Sequence, residues 1–398
     1  MKFSKRIEAM QSSPVRKLVP YAQAAKAQGK KVYHLNIGQP DVKTPAVFFD
    51  AVRKFDAEVL EYALSQGIPE LIDAIVDYYK ENDLNYDKEE ILITNGGSEA
   101  LMFAMLAVCD PGDQILVPEP FYTNYNGFGS TVDVSLTPVT TKAENGFHLP
   151  SKEEVLAAIT PRTKAILLSN PGNPTGVVYT KEEVRMLADI AIEKDLFIIS
   201  DEVYREFVYD GEVHTSFASM EDAADGVILI ESISKRFSAC GARIGSLACK
   251  NKPLIAQIMK LCQGRLCVPT IEQIGAVELY KMPKSYYDEV CAEYRGRRDI
   301  VYKALQEMPG VVCEKPKGAL YVVAKLPVED AEDFIIWMLK EFDLNGETVM
   351  MAPAEGFYAT SGLGKNEARI AYVLNAAELE KAMNCLKEGL KAYTALKK

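Results

Sequence analysis

The sequence predicts an α/β protein. Its large domain carries a mainly parallel, seven-stranded sheet flanked by helices, and a smaller α+β domain is built from the two chain ends. Apolar runs rich in β-branched residues alternate with helical segments between about residues 41 and 290, as parallel strands with right-handed helical crossovers require. Capping boxes at Ser151 and Thr180 open two of the helical segments. Polar motifs follow several apolar runs directly, where open α/β sheets carry their ligand sites.

Composition narrows the class of protein. The chain has 398 residues, 48% of them hydrophobic, which suggests two domains or one large domain with a satellite. A net charge of -11 argues against a nucleic-acid partner or an acidic membrane surface. No segment approaches the roughly 20 apolar residues that span a bilayer, and no apolar stretch follows the basic start as in a signal peptide. The eight cysteines are scattered without a Cys-x-x-Cys pair, which indicates buried thiols in a reducing cytoplasm.

Histidine is scarce, which limits the available chemistry. The chain has three histidines, His34, His148 and His214, so we expect neither a histidine-based triad nor a metal site. Cys262 and Cys267 come closest to a ligand pair, but no histidine lies nearby to complete a zinc site. Proton transfer must therefore fall to a lysine, a tyrosine or a carboxylate.

The most informative segment follows the apolar run Val227–Ile230, which reads as a buried strand. Lys235 comes just after that strand, with Ser232, Ser234 and Arg243 within a dozen residues. An amine can form an imine with an aldehyde cofactor. Hydroxyls and an arginine are the donors that a phosphate prefers. A lysine beside a phosphate site suggests pyridoxal phosphate, although a solvated lysine is the commoner use of this residue type.

A second segment predicts an anion site. The strand 90–94 runs into the Asn95-Gly96-Gly97 turn, and a helix begins at Ser98. Free N–H groups and the positive end of the dipole at a helix start attract anions, and glycine allows a phosphate to come close. We assign Gly97, Ser98 and Glu99 to phosphate binding, mostly through the main chain, with the Glu99 side chain facing away because a carboxylate repels phosphate. An ordinary capped helix is the alternative and is about as common for this pattern, and the family resemblance given below favours the phosphate site.

A third segment supplies a carboxylate. Asp201 directly follows the buried strand 196–200. An anion at that position can stabilise a protonated pyridine ring, which acts as an electron sink. A capping aspartate is the alternative interpretation.

Three ordered motifs resemble one family. They are Ser-x-Ser-Lys-x-Phe at 232–237 with Arg-x-Gly from Arg243, Asn-Pro-x-Asn-Pro-Thr-Gly at 170–176, and Asp-Glu-x-Tyr at 201–204. Together they resemble the class I aminotransferases, fold-type-I pyridoxal-phosphate enzymes of the aspartate aminotransferase superfamily. The similarity extends from about Asn36 to Arg369. It implies a ping-pong transfer of an α-amino group to a 2-oxo acid.

The resemblance also implies roles around the cofactor. Lys235 would hold the aldehyde and later move the substrate Cα proton, and Asp201 would face the pyridine nitrogen. Tyr204 and Asn173 would hydrogen-bond the phenolic oxygen, and Tyr122 would stack on the ring. Many family members carry tryptophan at this last position.

The substrate and the oligomer follow from the same resemblance. Gly38, Asn173 and Arg369 would hold the substrate carboxylate, Arg369 as a bidentate fork. Tyr62 would reach across a homodimer to the partner's cofactor phosphate, so that two chains share each active site. Each residue also has a structural alternative. Gly38 would be an ordinary turn glycine, Tyr62 a tyrosine packed in a loop, and Arg369 an arginine on a surface strand. Arg265 matches no family position cleanly, but it is a candidate cation to bind an acidic substrate side chain, which makes aspartate with 2-oxoglutarate one hypothesis.

Two other functions stay open at this point. A fold-type-I lyase eliminating from cysteine-like substrates would use the same cofactor, because fold does not decide which bond is broken. A pyridoxal-phosphate-binding transcription regulator would need a DNA-reading domain ahead of the fold, and only about thirty residues precede it here.

The remaining segments are assigned to the smaller domain. We predict a helix over 14–28 and a strand over 32–37, with residues 1–40 joining the small domain 291–398 and residues 41–290 forming the large domain. A long helix over 286–308 leaves the large domain. Strands are predicted at 319–323, 348–351 and 369–373, and a final helix from about Ala377.

Overall fold

The fold is described by a computed structural model that covers residues 1–397. Its α-helices, in chain order, are α1 Lys5–Ala9, α2 Val19–Ala27, α3 Ala46–Arg53, α4 Pro69–Glu81, α5 Gly96–Val108, α6 Asn124–Val132, α7 Lys152–Ala157, α8 Lys181–Lys194, α9 Ile233–Arg236, α10 Lys252–Arg265, α11 Thr270–Tyr280, α12 Lys284–Gln306, α13 Ala331–Lys340 and α14 Ala376–Leu396. In the part of the chain that is described, no helix is both long and apolar enough to cross a bilayer.

Twelve strands complete the described chain. They are β1 Lys31–His34, β2 Ile91–Thr94, β3 Gln114–Glu119, β4 Ser135–Thr140, β5 Thr163–Ser169, β6 Phe197–Asp201, β7 Val227–Ser232, β8 Gly245–Ala248, β9 Tyr321–Lys325, β10 Glu347–Met350, β11 Ala352–Pro353 and β12 Glu367–Ala371. The large sheet has the order β2-β8-β7-β6-β5-β3-β4. All its pairs are parallel except those of β8 with β2 and β7. The predicted seven-stranded, mainly parallel α/β fold is confirmed.

Local sequence explains why the sheet forms where it does. Strand β7 is buried along its whole length and β6 along nearly all of it, as expected for strands covered by helices on both faces. The capping boxes predicted at Ser151 and Thr180 both form, each hydroxyl accepting from the N–H three residues on. These hydrogen bonds satisfy N–H groups that would otherwise be orphaned where α7 and α8 begin.

The parallel strands deliver polar residues to one edge of the sheet. Strand β5 ends at Ser169, β6 at Asp201 and β7 at Ser232. Ser169 and Asp201 are register partners. The carboxyl ends of neighbouring parallel strands therefore meet in one crevice, as is general for open α/β sheets.

Two small sheets lie outside the large one. Strand β1 pairs in parallel with β10, and β12 pairs antiparallel with both β9 and β11. The predicted strands near the carboxyl end exist within two residues of their predicted bounds, but they divide between two sheets. The residues before the large sheet share their core with the last helices, because Leu18 and Ala22 belong to the same cluster as Phe334 and Leu386.

Helix α2 corrects one prediction. A helix was predicted over 14–28, but α2 begins at Val19 and the residues before it form turns. Pro20 lies in the first turn of α2. Proline has no N–H and is tolerated only in the first turn of a helix, so the helix cannot extend back toward Pro14. Residues 13–17 instead form a turn in which Ser13 O accepts from the N–H groups of Arg16 and Lys17, both at 3.1 Å.

The long helix predicted over 286–308 is α12, Lys284–Gln306. It runs without a break through residue 290, where the boundary between the predicted domains was drawn. The division into 1–40, 41–290 and 291–398 stays a prediction.

Candidate active site

A cavity of about 570 Å³ opens at the carboxyl edge of the large sheet. Its walls come from the strand ends, from the N-terminus of α5, from the segment before α2 and from the small sheets. It collects most of the residues assigned from sequence, namely Gly38, Gly97, Ser98, Tyr122, Asn173, Asp201, Tyr204, Ser232, Ser234, Lys235, Arg243 and Arg369. Glu99, Tyr62 and Arg265 are not among the residues that line it.

Lys235 is positioned by the short helix α9, which follows β7 directly. Its Nζ donates a 2.7 Å hydrogen bond to the Gly38 carbonyl oxygen and lies 4.0 Å from the Cys240 sulfur. The side chain is half-buried, and no carboxylate of the described chain lies within 4.0 Å of it. An amine held this way is available to react with a carbonyl group brought into the cavity.

Donors for an anion cluster beside that lysine. Gly97 and Ser98 lie in the first turn of α5, where backbone N–H groups have no partner within the helix. Ser232 Oγ accepts from the Ser234 N–H at 3.1 Å and lies 2.7 Å from Ser234 Oγ. Arg243 donates to the Cys240 carbonyl oxygen at 2.9 Å. The helix start, two hydroxyls and a guanidinium together form an anion cradle.

A glycine is required where the cradle is tightest. Gly96 has φ +72°, in the left-handed region, and a Cβ there would collide with the Arg243 guanidinium. A larger residue would therefore strain the turn and displace the arginine. The Asn-Gly-Gly turn before α5 is explained by this close approach.

Among the lining residues that the structure describes, Asp201 supplies the only carboxylate. Its Oδ2 accepts a 2.7 Å hydrogen bond from the Tyr125 hydroxyl. Burial raises the pKa of Asp201 to about 6, opposed by the Tyr125 hydroxyl, the Val203 N–H and the charge of Lys235. A cation placed against this carboxylate would favour its charged form. The site therefore suits a ligand with a protonated ring nitrogen.

Two tyrosines that line the cavity contact each other. The Tyr204 and Tyr321 hydroxyl oxygens are 2.7 Å apart, and the rings pack edge to face with centroids 5.6 Å apart. Burial is the main reason that the pKa of Tyr204 lies well above its ordinary value, so it stays a neutral donor. Tyr321 also limits Gly38, because a Cβ on Gly38 would overlap the Tyr321 ring and hydroxyl.

Arg369 extends from β12 into the same cavity. It donates to Asn173 Oδ1 at 3.1 Å and to the Asn36 carbonyl oxygen at 2.6 Å. Its guanidinium lies over the Tyr321 ring at 4.5 Å and the Phe357 ring at 5.0 Å. Its Nε is buried without a hydrogen-bond partner in the described chain. A buried cation with an unused donor is suited to bind a carboxylate.

Tyr122 lines the cavity beside Tyr125, with ring centroids 5.5 Å apart and edge-to-face geometry. Its hydroxyl accepts from Asn124 Nδ2 at 2.8 Å. Its ring is held by these contacts on one wall, which leaves it available to pack against a ligand ring.

Three assigned residues lie outside the cavity lining. The Glu99 carboxylate accepts from the Asn95 N–H at 2.8 Å and lies 3.5 Å from Arg265 Nε, so its side chain faces away from the cradle. Arg265 also donates to the Ser65 and Ile93 carbonyl oxygens. Tyr62 is exposed in a loop, 79% accessible in the single chain.

The sequence interpretation missed several residues of this site. Tyr125, Tyr321 and Asn36 contact assigned residues but belong to none of the quoted motifs. Asn36 carries the best signal, because it comes just before the Gly38 segment. Nothing in the sequence indicated that Tyr125 would meet Asp201 from 76 positions away. Arg16, which lines the cavity, was hidden within a predicted helix.

These features fit pyridoxal phosphate. The anion cradle of Gly97, Ser98, Ser232, Ser234 and Arg243 suits its phosphate, Asp201 its ring nitrogen and Lys235 its aldehyde. The unpartnered Nε of Arg369 remains for a substrate carboxylate. When bound, this cofactor supplies an electron sink for carbanion chemistry at a substrate carbon.

Comparison with known proteins agrees with this fit. The sequence pattern of the family described as aminotransferase class I and II matches residues 30–386. An aspartate aminotransferase of Bacillus subtilis (strain 168) is 30% identical over 99% of this chain and 100% of its own. A probable aspartate/prephenate aminotransferase of Aquifex aeolicus (strain VF5) is 34% identical over 97% and 98% of the two chains. A solved alanine aminotransferase of Pyrococcus furiosus superposes with a TM-score of 0.90 at 31% identity, covering 98% of this chain and 100% of that one.

The fold and the site define a fold-type-I pyridoxal-phosphate enzyme. The chain belongs to the aminotransferase class I and II family. Its reaction is the transfer of an amino group from an amino acid to a 2-oxo acid with pyridoxal phosphate as cofactor. Elimination from cysteine-like substrates is not favoured, because the relatives are aminotransferases.

Proposed function

We propose that this aminotransferase takes an amino acid with an acidic side chain, aspartate, as donor and 2-oxoglutarate as acceptor. The names of the Bacillus and Aquifex relatives include aspartate. The observation that carries amino transfer is that Lys235, Asp201 and Arg369 line one cavity, and the names of these relatives support the acidic donor. Proton transfer, charge at the ring nitrogen and carboxylate binding are thereby available at a single site.

Lys235 acts as the base. Without substrate, its Nζ donates to the Gly38 carbonyl oxygen 2.7 Å away. In the proposed reaction the Nζ leaves this contact and takes the proton from the substrate Cα. Gly38, Asn173 and Arg369 hold the α-carboxylate so that this proton faces the amine. A positioned base of this kind contributes typically 10²–10⁴-fold to a rate.

The other assigned residues bind and orient the cofactor. Asp201 balances the charge on the ring nitrogen, and Tyr122 packs against the ring. Tyr204 and Asn173 hydrogen-bond the phenolic oxygen. The backbone of Gly97, Ser98 and Glu99 and the side chains of Ser232, Ser234 and Arg243 would hold the phosphate. Tyr204 must release Tyr321, 2.7 Å away, or share its hydroxyl with it.

The active enzyme in this proposal is a homodimer. The segment around Tyr62 exposes Val59, Leu60 and Leu64 at 67%, 58% and 62%. Adjacent exposed apolar side chains favour a protein contact. A two-fold contact through this segment would bring Tyr62 to the cofactor phosphate of the partner.

The proposal also includes a cytoplasmic location and a division of the chain into a large and a small domain. All eight cysteines are free in the described chain, and four of them are buried, which suits the reducing cytoplasm. Residues 1–40 belong with 291–398 in this proposal, since β1 pairs with β10.

The test is a substrate panel with the holoenzyme. Aspartate, alanine, methionine and tyrosine are each supplied with 2-oxoglutarate, and glutamate and the new 2-oxo acid are measured. We expect equimolar products and the highest kcat/KM for aspartate. Comparable values for all four donors would contradict the acidic preference. Release of ammonia without an acceptor would contradict amino transfer itself.

A further inference from the structure

Five charged residues line the cavity, and one of the cations has no assigned role. Within residues 1–397, the lining contains Arg16, Lys235, Arg243 and Arg369 as cations and Asp201 as the single carboxylate. In the proposed function Lys235 moves the proton, Arg243 binds phosphate and Arg369 binds the α-carboxylate. Arg16 remains. Its side chain is exposed, and no carboxylate of residues 1–397 lies within 4.0 Å of its guanidinium.

Backbone contacts locate Arg16 near Arg369. Arg369 Nη2 donates to the Asn36 carbonyl oxygen at 2.6 Å, and Asn36 Nδ2 donates to the Val15 carbonyl oxygen at 3.5 Å. Val15, the neighbour of Arg16, is therefore connected to Arg369 by hydrogen bonds through one intervening residue, Asn36. Arg16 thus lies on the side of the cavity where the substrate carboxylate is expected.

The segment that carries Arg16 is held in place. Pro14 packs so closely on Gly356 that a Cβ there would collide with it, and Val15 packs against the cluster that contains Phe357. Phe357 in turn lies under the Arg369 guanidinium at 5.0 Å. The backbone at Arg16 is fixed by the same surroundings as Arg369, while its side chain is free to reach a ligand.

We propose that Arg16 binds the distal carboxylate of a dicarboxylic substrate, and so determines the preference for acidic amino acids. This inference rests on the proposed function. A substrate held at its α-carboxylate by Arg369 carries its second carboxylate away from the phosphate cradle, toward the cation that has no other partner. A guanidinium matches a carboxylate with two parallel N–H donors.

Arg265, the cation suggested by sequence, is less suited to this role. Its Nη2 is engaged by the Ser65 and Ile93 carbonyl oxygens, its Nε faces Glu99, and it does not line the cavity of its own chain. A cation already paired with a carboxylate offers less to a second one. Replacement by glutamine therefore distinguishes the two arginines. The aspartate preference should be lost when Arg16 is replaced and kept when Arg265 is replaced.

Both halves of the proposed reaction should depend on Arg16. Aspartate and 2-oxoglutarate each carry two carboxylates, so each needs a cation beyond Arg369. Alanine carries one carboxylate and needs none.

The experiment uses single turnovers of the holoenzyme with aspartate or alanine and no acceptor, so that only the first half-reaction is observed. For Arg16→Gln we expect the rate constant per substrate concentration to fall about 10- to 100-fold with aspartate and to change less than about two-fold with alanine. Arg16→Lys should recover part of the loss, because it keeps the charge but not the fork.

Lys17→Gln is the matched control. It removes one positive charge from the next residue, which pairs with Glu332 and does not line the cavity. Arg265→Gln serves as the competing hypothesis. We expect both variants to keep the aspartate preference of the unmodified enzyme.

A binding measurement separates recognition from chemistry. Succinate and butyrate differ in one carboxylate and carry no amino group to transfer. We expect Arg16→Gln to weaken succinate binding to the holoenzyme about 10-fold or more while leaving butyrate binding unchanged.

Each outcome decides the proposal. Equal losses with aspartate and alanine, or an aspartate preference that survives in Arg16→Gln, would overturn the role of Arg16. An unmodified enzyme that binds succinate no better than butyrate would overturn it as well. Failure of the proposed function looks different, because the unmodified enzyme itself would then show no aspartate preference in the panel.

Discussion

The Lys235 amine donates a 2.7 Å hydrogen bond to the Gly38 carbonyl oxygen, which belongs to a residue 197 positions earlier in the chain. This contact joins the residue that follows β7 to the segment that follows β1. The amine thus lies against the segment after β1, which also contains Asn36, the residue whose carbonyl oxygen accepts from Arg369. The cavity beside this amine therefore lies between the large sheet and the small sheets.

Lys235→Ala should abolish amino transfer and the covalent link between protein and cofactor, because no other lysine of residues 1–397 lines the cavity. The measurement is mass spectrometry after borohydride reduction, together with the transfer assay. Lys260→Ala removes an exposed lysine of α10 and should leave both results unchanged. A reduced cofactor adduct retained in Lys235→Ala would show that another residue holds the cofactor.

Cofactor affinity should depend on pH through Asp201. Burial raises the pKa of Asp201 to about 6 in the cofactor-free protein, so this carboxyl is protonated below about pH 6. A neutral carboxyl cannot balance a protonated ring nitrogen, and we expect cofactor affinity to fall as the pH is lowered through 6. Titration of the cofactor-free protein between pH 5 and 8 measures this.

Tyr125→Phe tests whether Asp201 is the group that titrates, because it removes the hydroxyl that donates to this carboxylate. The Tyr125 hydroxyl lowers the pKa of Asp201, so its loss should move the inflection to higher pH. Asp201→Asn should remove the contribution of this group and weaken cofactor binding at all pH values. An inflection at the same pH in all three proteins would assign it to the cofactor phosphate instead.

Gly38→Ala should disable the site without unfolding the protein. The added methyl group would overlap Tyr321 and displace it from Tyr204. We expect kcat/KM to fall by about 10²-fold or more, since a displacement of about 1 Å can cost that much. Gly127→Ala in α6 meets nothing within 4 Å. It should keep full activity and gain about 0.5–1 kcal/mol in unfolding free energy.

A mixture of two defective variants tests the shared active site. Lys235→Ala and Tyr62→Ala chains are unfolded and refolded together. If Tyr62 serves the partner's site, a mixed dimer has one site with both defects and one intact site, so a 1:1 mixture recovers about a quarter of full activity. If Tyr62 serves its own chain, both sites of the mixed dimer are defective and activity stays at the level of the separate variants.

Local sequence proposed candidate residues at the ends of the strands. Lys235, Asp201 and the Gly96-Gly97 turn could be assigned because each follows a recognisable buried strand, and parallel strands bring their carboxyl ends to one edge. The mainly parallel sheet followed from the alternation of strand-like and helical segments. Short-range patterns proposed these residues, but each pattern also had an ordinary structural explanation, and the resemblance of several motifs to one family favoured the functional one.

Tertiary structure decided which distant residues complete the site. Tyr125 meets Asp201, Tyr321 meets Gly38 and Tyr204, and Asn36 meets Arg369 only after the sheets have packed. Arg265 was turned toward Glu99 and Arg16 toward the cavity by the same packing. Nothing local distinguishes one arginine from the other, because contacts between residues far apart in sequence depend on the arrangement of whole elements rather than on the pattern within any one of them.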